Sequence, residues 1–105
     1  MRHQKIFALL LAAVATVSQA IYAQQKIPAL KKIFENDFLI GTAINTLQIE
    51  EKDKGSAQLL PEQFNAFTPE NIMKAEEIHP TWGKYNFDIA DKLISYAEKY
   101  EGKVH

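Results

Sequence analysis

The chain reads as an α/β protein built on a parallel sheet, and three observations point there. Phe38 to Ile44 is a continuous apolar run with β-branched members and no 3.6-residue period, which suits a strand covered on both faces. Asn65 to Thr68 is a second short strand candidate stopped by Pro69, and Lys103-Val104-His105 looks like the start of a third. Helical spacing separates these segments. The order helix, strand, helix, strand, helix, strand start implies parallel βαβ units joined by right-handed crossovers.

Residues 1–23 read as a secretory signal peptide. Arg2, His3 and Lys5 form a positive n-region, Ile6 to Val17 is mostly apolar, and small residues offer cleavage after Ala20 or Ala23. The apolar run is shorter than the roughly 20 residues of a spanning helix, so export to the periplasm or beyond is expected, with no membrane attachment after cleavage. Residues 24–105 then form one partial domain of 82 residues. Arg2 and Lys5 hold two of the twelve basic charges, leaving ten against thirteen acidic and a net charge near −3. A chain of that size is marginal without staples, and its open strand edges are expected to associate.

Within this domain, Ala29, Leu30, Ile33 and Phe34 have the spacing of a short amphipathic helix. Glu50 to Ser56 is a charged segment, expected as a solvated loop. Ala57, Leu59, Leu60 and Phe64 suggest a short helix, with Pro61 marking a break or a fresh first turn. Glu70 to Glu77 should give one or two helical turns, and His79 to Gly83 a loop. Ile89, Leu93, Ala97 and Tyr100 make one face of the best helix, with Asp88 as its expected N-cap and Gly102 as its C-cap.

Composition excludes several chemistries. There is no cysteine, hence no disulfide framework, thiolate nucleophile, Cys-ligated zinc or iron–sulfur cluster. The histidines at 3, 79 and 105 are too scattered to suggest a metal site, and no cofactor is expected. Without a basic excess, nucleic acid is not an expected partner.

The informative segment is 67–87. Phe67-Thr68-Pro69-Glu70-Asn71-Ile72-Met73-Lys74 places a carboxylate, an amide and an amine directly after a short strand. In parallel α/β architectures, ligand-contacting groups gather at that strand end. If Asn71 to Lys74 is helical, the i,i+3 spacing puts amide and amine on one face. Acceptor, mixed and donor groups together suit sugar hydroxyls better than a phosphate. Taken on pattern alone, a capping Asn and a solvated Glu/Lys pair explain the same residues.

This segment, followed by Ile78-His79-Pro80-x-x-Gly83-x-Tyr85-x-Phe87-x-x-Ala90-Asp91, resembles the amino-terminal third of family 10 glycoside hydrolases, the endo-1,4-β-xylanases. Phe38 to Ala43 is similar to their first strand. The resemblance covers roughly residues 28–105. It implies the first two βα units and the start of the third strand of a (β/α)₈ TIM barrel, with xylan or xylooligosaccharide as partner and a monomeric full-length form. The reaction it implies is hydrolysis with retention, which takes two carboxyl groups about 5–5.5 Å apart. In the family these are glutamates in a Trp-Asp-Val-x-Asn-Glu-like and a Thr-Glu-Leu-Asp-like motif, neither of which occurs in these 105 residues. No catalytic residue is therefore assigned, and the fragment alone is expected to be inactive.

What the resemblance carries over is glycone binding by Glu70, Asn71 and Lys74, with Asn45 as a further residue near the same rim. Where the family often has an aromatic residue directly after the motif lysine, this chain has Ala75. Trp82 could stack on a sugar, although a loop tryptophan is more often a surface or lid-packing aromatic. His79 is expected to be structural, and Tyr85 and Phe87 to anchor the loop. The alternative is a non-catalytic secreted module, either xylan-binding or an α/β interaction protein.

Overall fold

The computed structural model describes residues 2–23 and 27–105. The start of the expected mature chain, Gln24 to Lys26, lies outside the described residues. Helix α1 (Arg2–Ala23) covers the expected leader and exposes Leu9, Leu10 and Leu11. Among the described residues no helix is long and apolar enough to cross a membrane.

The remaining elements follow the alternation the sequence predicts: α2 (Leu30–Ile33), β1 (Gly41–Ile44), α3 (Thr46–Ile49), α4 (Leu59–Gln63), β2 (Ala66–Pro69), α5 (Ala75–Ile78), α6 (Asp88–Lys99) and β3 (Lys103–Val104). The strands form one parallel sheet in the order β1-β2-β3. In register, Gly41 faces Ala66 and Ile44 faces Pro69, while Ala66 and Phe67 face Lys103 and Val104. Both crossovers thus run between neighbouring strands, as in consecutive units of a barrel wall.

The core lies between the sheet and α6. Ile44, Phe67 and Leu93 are fully buried, with Ile49, Leu60, Ile72, Tyr96 and Ala97 packed around them. The Phe67 ring meets Tyr96 edge-on at 5.2 Å, and Tyr96 meets Tyr100 likewise at 4.9 Å. α6 contributes Ala90, Leu93, Tyr96 and Ala97, an i, i+3, i+6, i+7 stripe that faces the sheet while Lys92, Ser95 and Lys99 stay outside.

Asn65 is the latch between strands. Its Oδ1 accepts from Ile40 N at 2.8 Å, its own N–H donates to Ile40 O at 3.0 Å, and its carbonyl accepts from Lys103 N at 2.9 Å. One residue therefore fixes β2 against both neighbours.

Several local expectations are corrected. The first strand covers only Gly41–Ile44, and it is not buried on both faces: Gly41 and Ala43 are exposed while Ile44 is buried. Residues 46–49, to which the sequence pattern assigns no element, form α3, capped by Asn45. Asp88 is the first helical residue rather than the cap, and its N–H is met by Asn86 Oδ1 at 3.1 Å. At the other end of α6, the left-handed position belongs to Glu101 (φ 54°), not Gly102. Gly102 N donates to Ala97 O at 2.8 Å and Glu101 N to Glu98 O at 3.2 Å, the paired bonds of a Schellman stop. Gly102 is required for a different reason. A Cβ there would lie 2.4 Å from Phe67 Cε2 and 2.9 Å from Cδ2.

Candidate functional site

The site is built at the C-terminal ends of β1 and β2. Because Ile44 pairs with Pro69, the next residues, Asn45 and Glu70, leave the sheet side by side. Glu70 N donates to Ile44 O at 2.9 Å, which extends the ladder one step and fixes where the Glu70 side chain begins. Proline at 69 lacks an N–H, so it suits this last ladder position, where β3 offers no partner.

After Glu70 the chain turns rather than entering a helix. Lys74 N donates to Asn71 O at 3.0 Å, closing the turn Asn71-Ile72-Met73-Lys74, and α5 begins only at Ala75 with Lys74 in extended conformation as its N-cap. The helical face expected for Asn71 and Lys74 is thus replaced by a turn, whose ends are closer than 7 Å by definition. The pair is still brought together. Burial of Ile72 in the core pins the turn, while Asn71, Met73 and Lys74 face outward.

Glu70, Asn71 and Lys74 are all exposed, and among the described residues none of their side chains is hydrogen-bonded or ion-paired within the fold. Asn45 differs. Its Oδ1 accepts from Gln48 N at 3.2 Å and Gln48 Oε1 accepts from Asn45 N at 3.0 Å, a reciprocal capping box on α3. Its carbonyl oxygen is engaged, so Asn45 offers a ligand chiefly the two donors of its amide nitrogen. The rim thus presents a carboxylate acceptor, a free amide, an ammonium and a half-engaged amide on two adjacent strand ends. Such a set pairs with vicinal hydroxyls, each of which donates once and accepts twice.

The 50–53 segment, expected as a solvated loop, is tied to α6. Glu50 accepts from Lys52 and Lys92, both at 2.6 Å; Glu51, with φ 56°, accepts from Lys99 at 2.8 Å and from the Tyr100 hydroxyl. Hydrogen bonds from Lys52 and then Lys92 hold the Glu50 carboxyl down at about 2. The Lys99 and Tyr100 bonds lower Glu51, and the glutamates in turn raise Lys92 and Lys99. Sequence separations of more than forty residues left this clasp without a local signal. It closes one side of a groove of about 600 Å³ lined by Ile49, Glu50, Lys92, Tyr96 and Lys99, which contains none of the four rim residues. The Tyr96 hydroxyl is buried without a hydrogen-bond partner, and burial pushes it up to about 12.

A sequence profile of glycosyl hydrolase family 10 matches residues 29–105. The chain belongs to that family. Within glycosyl hydrolase family 10 it is 37% identical over 81 residues to an endo-1,4-β-xylanase A of Xylanibacter ruminicola, covering 77% of this chain and 22% of that protein. Its fold superposes on the intracellular xylanase of Thermoanaerobacterium saccharolyticum with a TM-score of 0.70 at 38% identity, covering 78% of this chain and 25% of that one. Mutants of that enzyme have been solved with xylotriose and with xylotetraose. A family 10 structure from Paenibacillus barcinonensis gives a TM-score of 0.68 at 34% identity over 75% of this chain and 22% of the other. The chain therefore spans about a quarter or less of these relatives. The three parallel strands and their helices match a segment of the family's (β/α)₈ barrel, as the resemblance implied.

Proposed function

We propose that this chain is the sugar-gripping lip of a secreted endo-1,4-β-xylanase. Glu70, Asn71 and Lys74 hydrogen-bond xylose hydroxyls on the glycone side of the cleaved bond, and Asn45 adds a donor beside them. The supporting observation is that these residues sit at two neighbouring strand ends and the turn that follows, and that among the described residues the side chains of Glu70, Asn71 and Lys74 make no bond within the fold. Binding of remote sugar units supplies energy that can be used at the scissile linkage. The two carboxyl groups that retention needs come from later strands of the complete barrel, because neither glutamate motif occurs in Met1 to His105. Met1 to Ala23 directs export.

A graft tests this reading. Residues 29–105 replace the matching segment of the Thermoanaerobacterium saccharolyticum xylanase, and xylan hydrolysis is measured. An active graft whose kcat/KM falls about 10- to 100-fold on Lys74→Ala, the loss of a charged hydrogen bond to substrate, is the expected result. A folded, active graft indifferent to Lys74→Ala and Asn71→Ala refutes it.

A further inference from the structure

We propose that Trp82 is a second contact for the polysaccharide, its indole face seating a xylose ring of the chain beyond those held by Glu70, Asn71 and Lys74. The proposal rests on the carbohydrate reading above and extends it to a residue that reading does not use.

Trp82 is 96% exposed, the most solvent-open of the large apolar side chains in the fold, and it makes no ring contact among the described residues. Its neighbours are engaged elsewhere. Tyr85 stacks on His79 at 4.4 Å with 4° between planes, and Phe87 lies parallel to Tyr85 at 6.0 Å. The loop carrying Trp82 is firmly built. Lys84 N donates to Thr81 O at 3.0 Å, Gly83 takes φ +74°, and Thr81 and Lys84 form an antiparallel bridge, so Trp82 occupies the first corner of a closed four-residue turn. Asn86 N to Ile78 O at 2.8 Å closes the base. Among the described residues this fixed turn leaves the indole face open to a ligand and adds nothing to the core.

The position also suits a polymer. The Asn71–Lys74 turn and the Thr81–Lys84 turn sit at either end of α5, a four-residue helix roughly 6 Å long, within one connection after β2. A pyranose ring has an apolar C–H face and an equatorial belt of hydroxyls. Carboxylate, amide and ammonium groups serve the belt, whereas a free aromatic face serves the other surface. The rim supplies the first kind and Trp82 the second.

Trp82 is the chain's single tryptophan, so its fluorescence reports this contact alone. In the 105-residue chain, xylohexaose should shift the emission to shorter wavelength and reduce acrylamide quenching. Trp82→Ala should weaken xylohexaose binding by calorimetry roughly five- to tenfold, the scale of one aromatic contact, while xylotriose binding stays within about twofold. The turn buries nothing of the indole, so the variant's circular dichroism should match that of the parent. Xylohexaose binding unchanged by Trp82→Ala, with xylotriose binding still abolished by Lys74→Ala, overturns this proposal and leaves the rim reading standing. Failure of both oligosaccharides to bind the folded chain overturns both.

Discussion

Gly102→Ala separates two accounts of the same glycine. If Gly102 were needed for a left-handed backbone, alanine would cost only conformational strain. The left-handed residue is Glu101, however, and the new methyl at 102 would enter the Phe67 ring at 2.4 and 2.9 Å, with Asn65 O at 3.4 Å behind it. Phe67 cannot swing aside, being fully buried and held edge-on by Tyr96 at 5.2 Å. Overpacking of this kind costs about 1–3 kcal/mol, whereas the reduced freedom of the unfolded chain returns about 0.4–1 kcal/mol. The net loss is about 1–2 kcal/mol. For a domain of this size that lowers Tm by about 5–15 °C in thermal unfolding followed by far-UV circular dichroism. A variant melting within a degree of the parent, or above it, would show that the Phe67–Gly102 contact does not constrain the fold.

Three further outcomes follow from the same geometry. Glu101→Gly should stabilise the chain by up to about 1 kcal/mol in urea titration, since glycine takes the left-handed position without a Cβ penalty. Tyr96→Phe should be neutral or slightly stabilising, because the hydroxyl it removes is buried without a partner; marked destabilisation would mean that the hydroxyl is bonded. Glu50 sits near 2 in the fold against an ordinary value of 4.5, so its contribution is present above about 4.5 and is lost as pH falls from there toward 2. Glu50→Gln should flatten the Tm-against-pH curve in that window and leave its neutral-pH slope unchanged.

The element order was legible because each apolar run is bounded by strong punctuation. Pro69 ends β2, Pro80 and Gly83 mark a loop, and the spacing through Leu93 and Ala97 marks α6. The rim was legible for a related reason: Glu70, Asn71 and Lys74 fall within five consecutive residues, so any tight local path after the strand brings them together, whether turn or helix. What stayed hidden was long-range. The carboxylates at 50 and 51 look like a solvated run until the lysines of α6 arrive, and Asn65 carries no sign that it will bridge three strands. Asn45 and Gln48 form a capping box readable in principle from their spacing, although the sequence pattern assigns no element to residues 46–49. Gly102 was expected as the C-cap, a position that belongs to Tyr100; what demands a glycine at 102 is a clash with a residue thirty-five positions earlier.

Isotope-labelled chain titrated with xylotriose and followed by amide and side-chain NMR puts the rim to the most direct test. Shifts should concentrate at Asn45, Glu70, Asn71 and Lys74, saturate at millimolar ligand (about 4 kcal/mol of binding) and vanish in Lys74→Ala. Shifts confined to the Glu50–Lys99 groove, or a dispersed spectrum that ignores the sugar, would contradict the account.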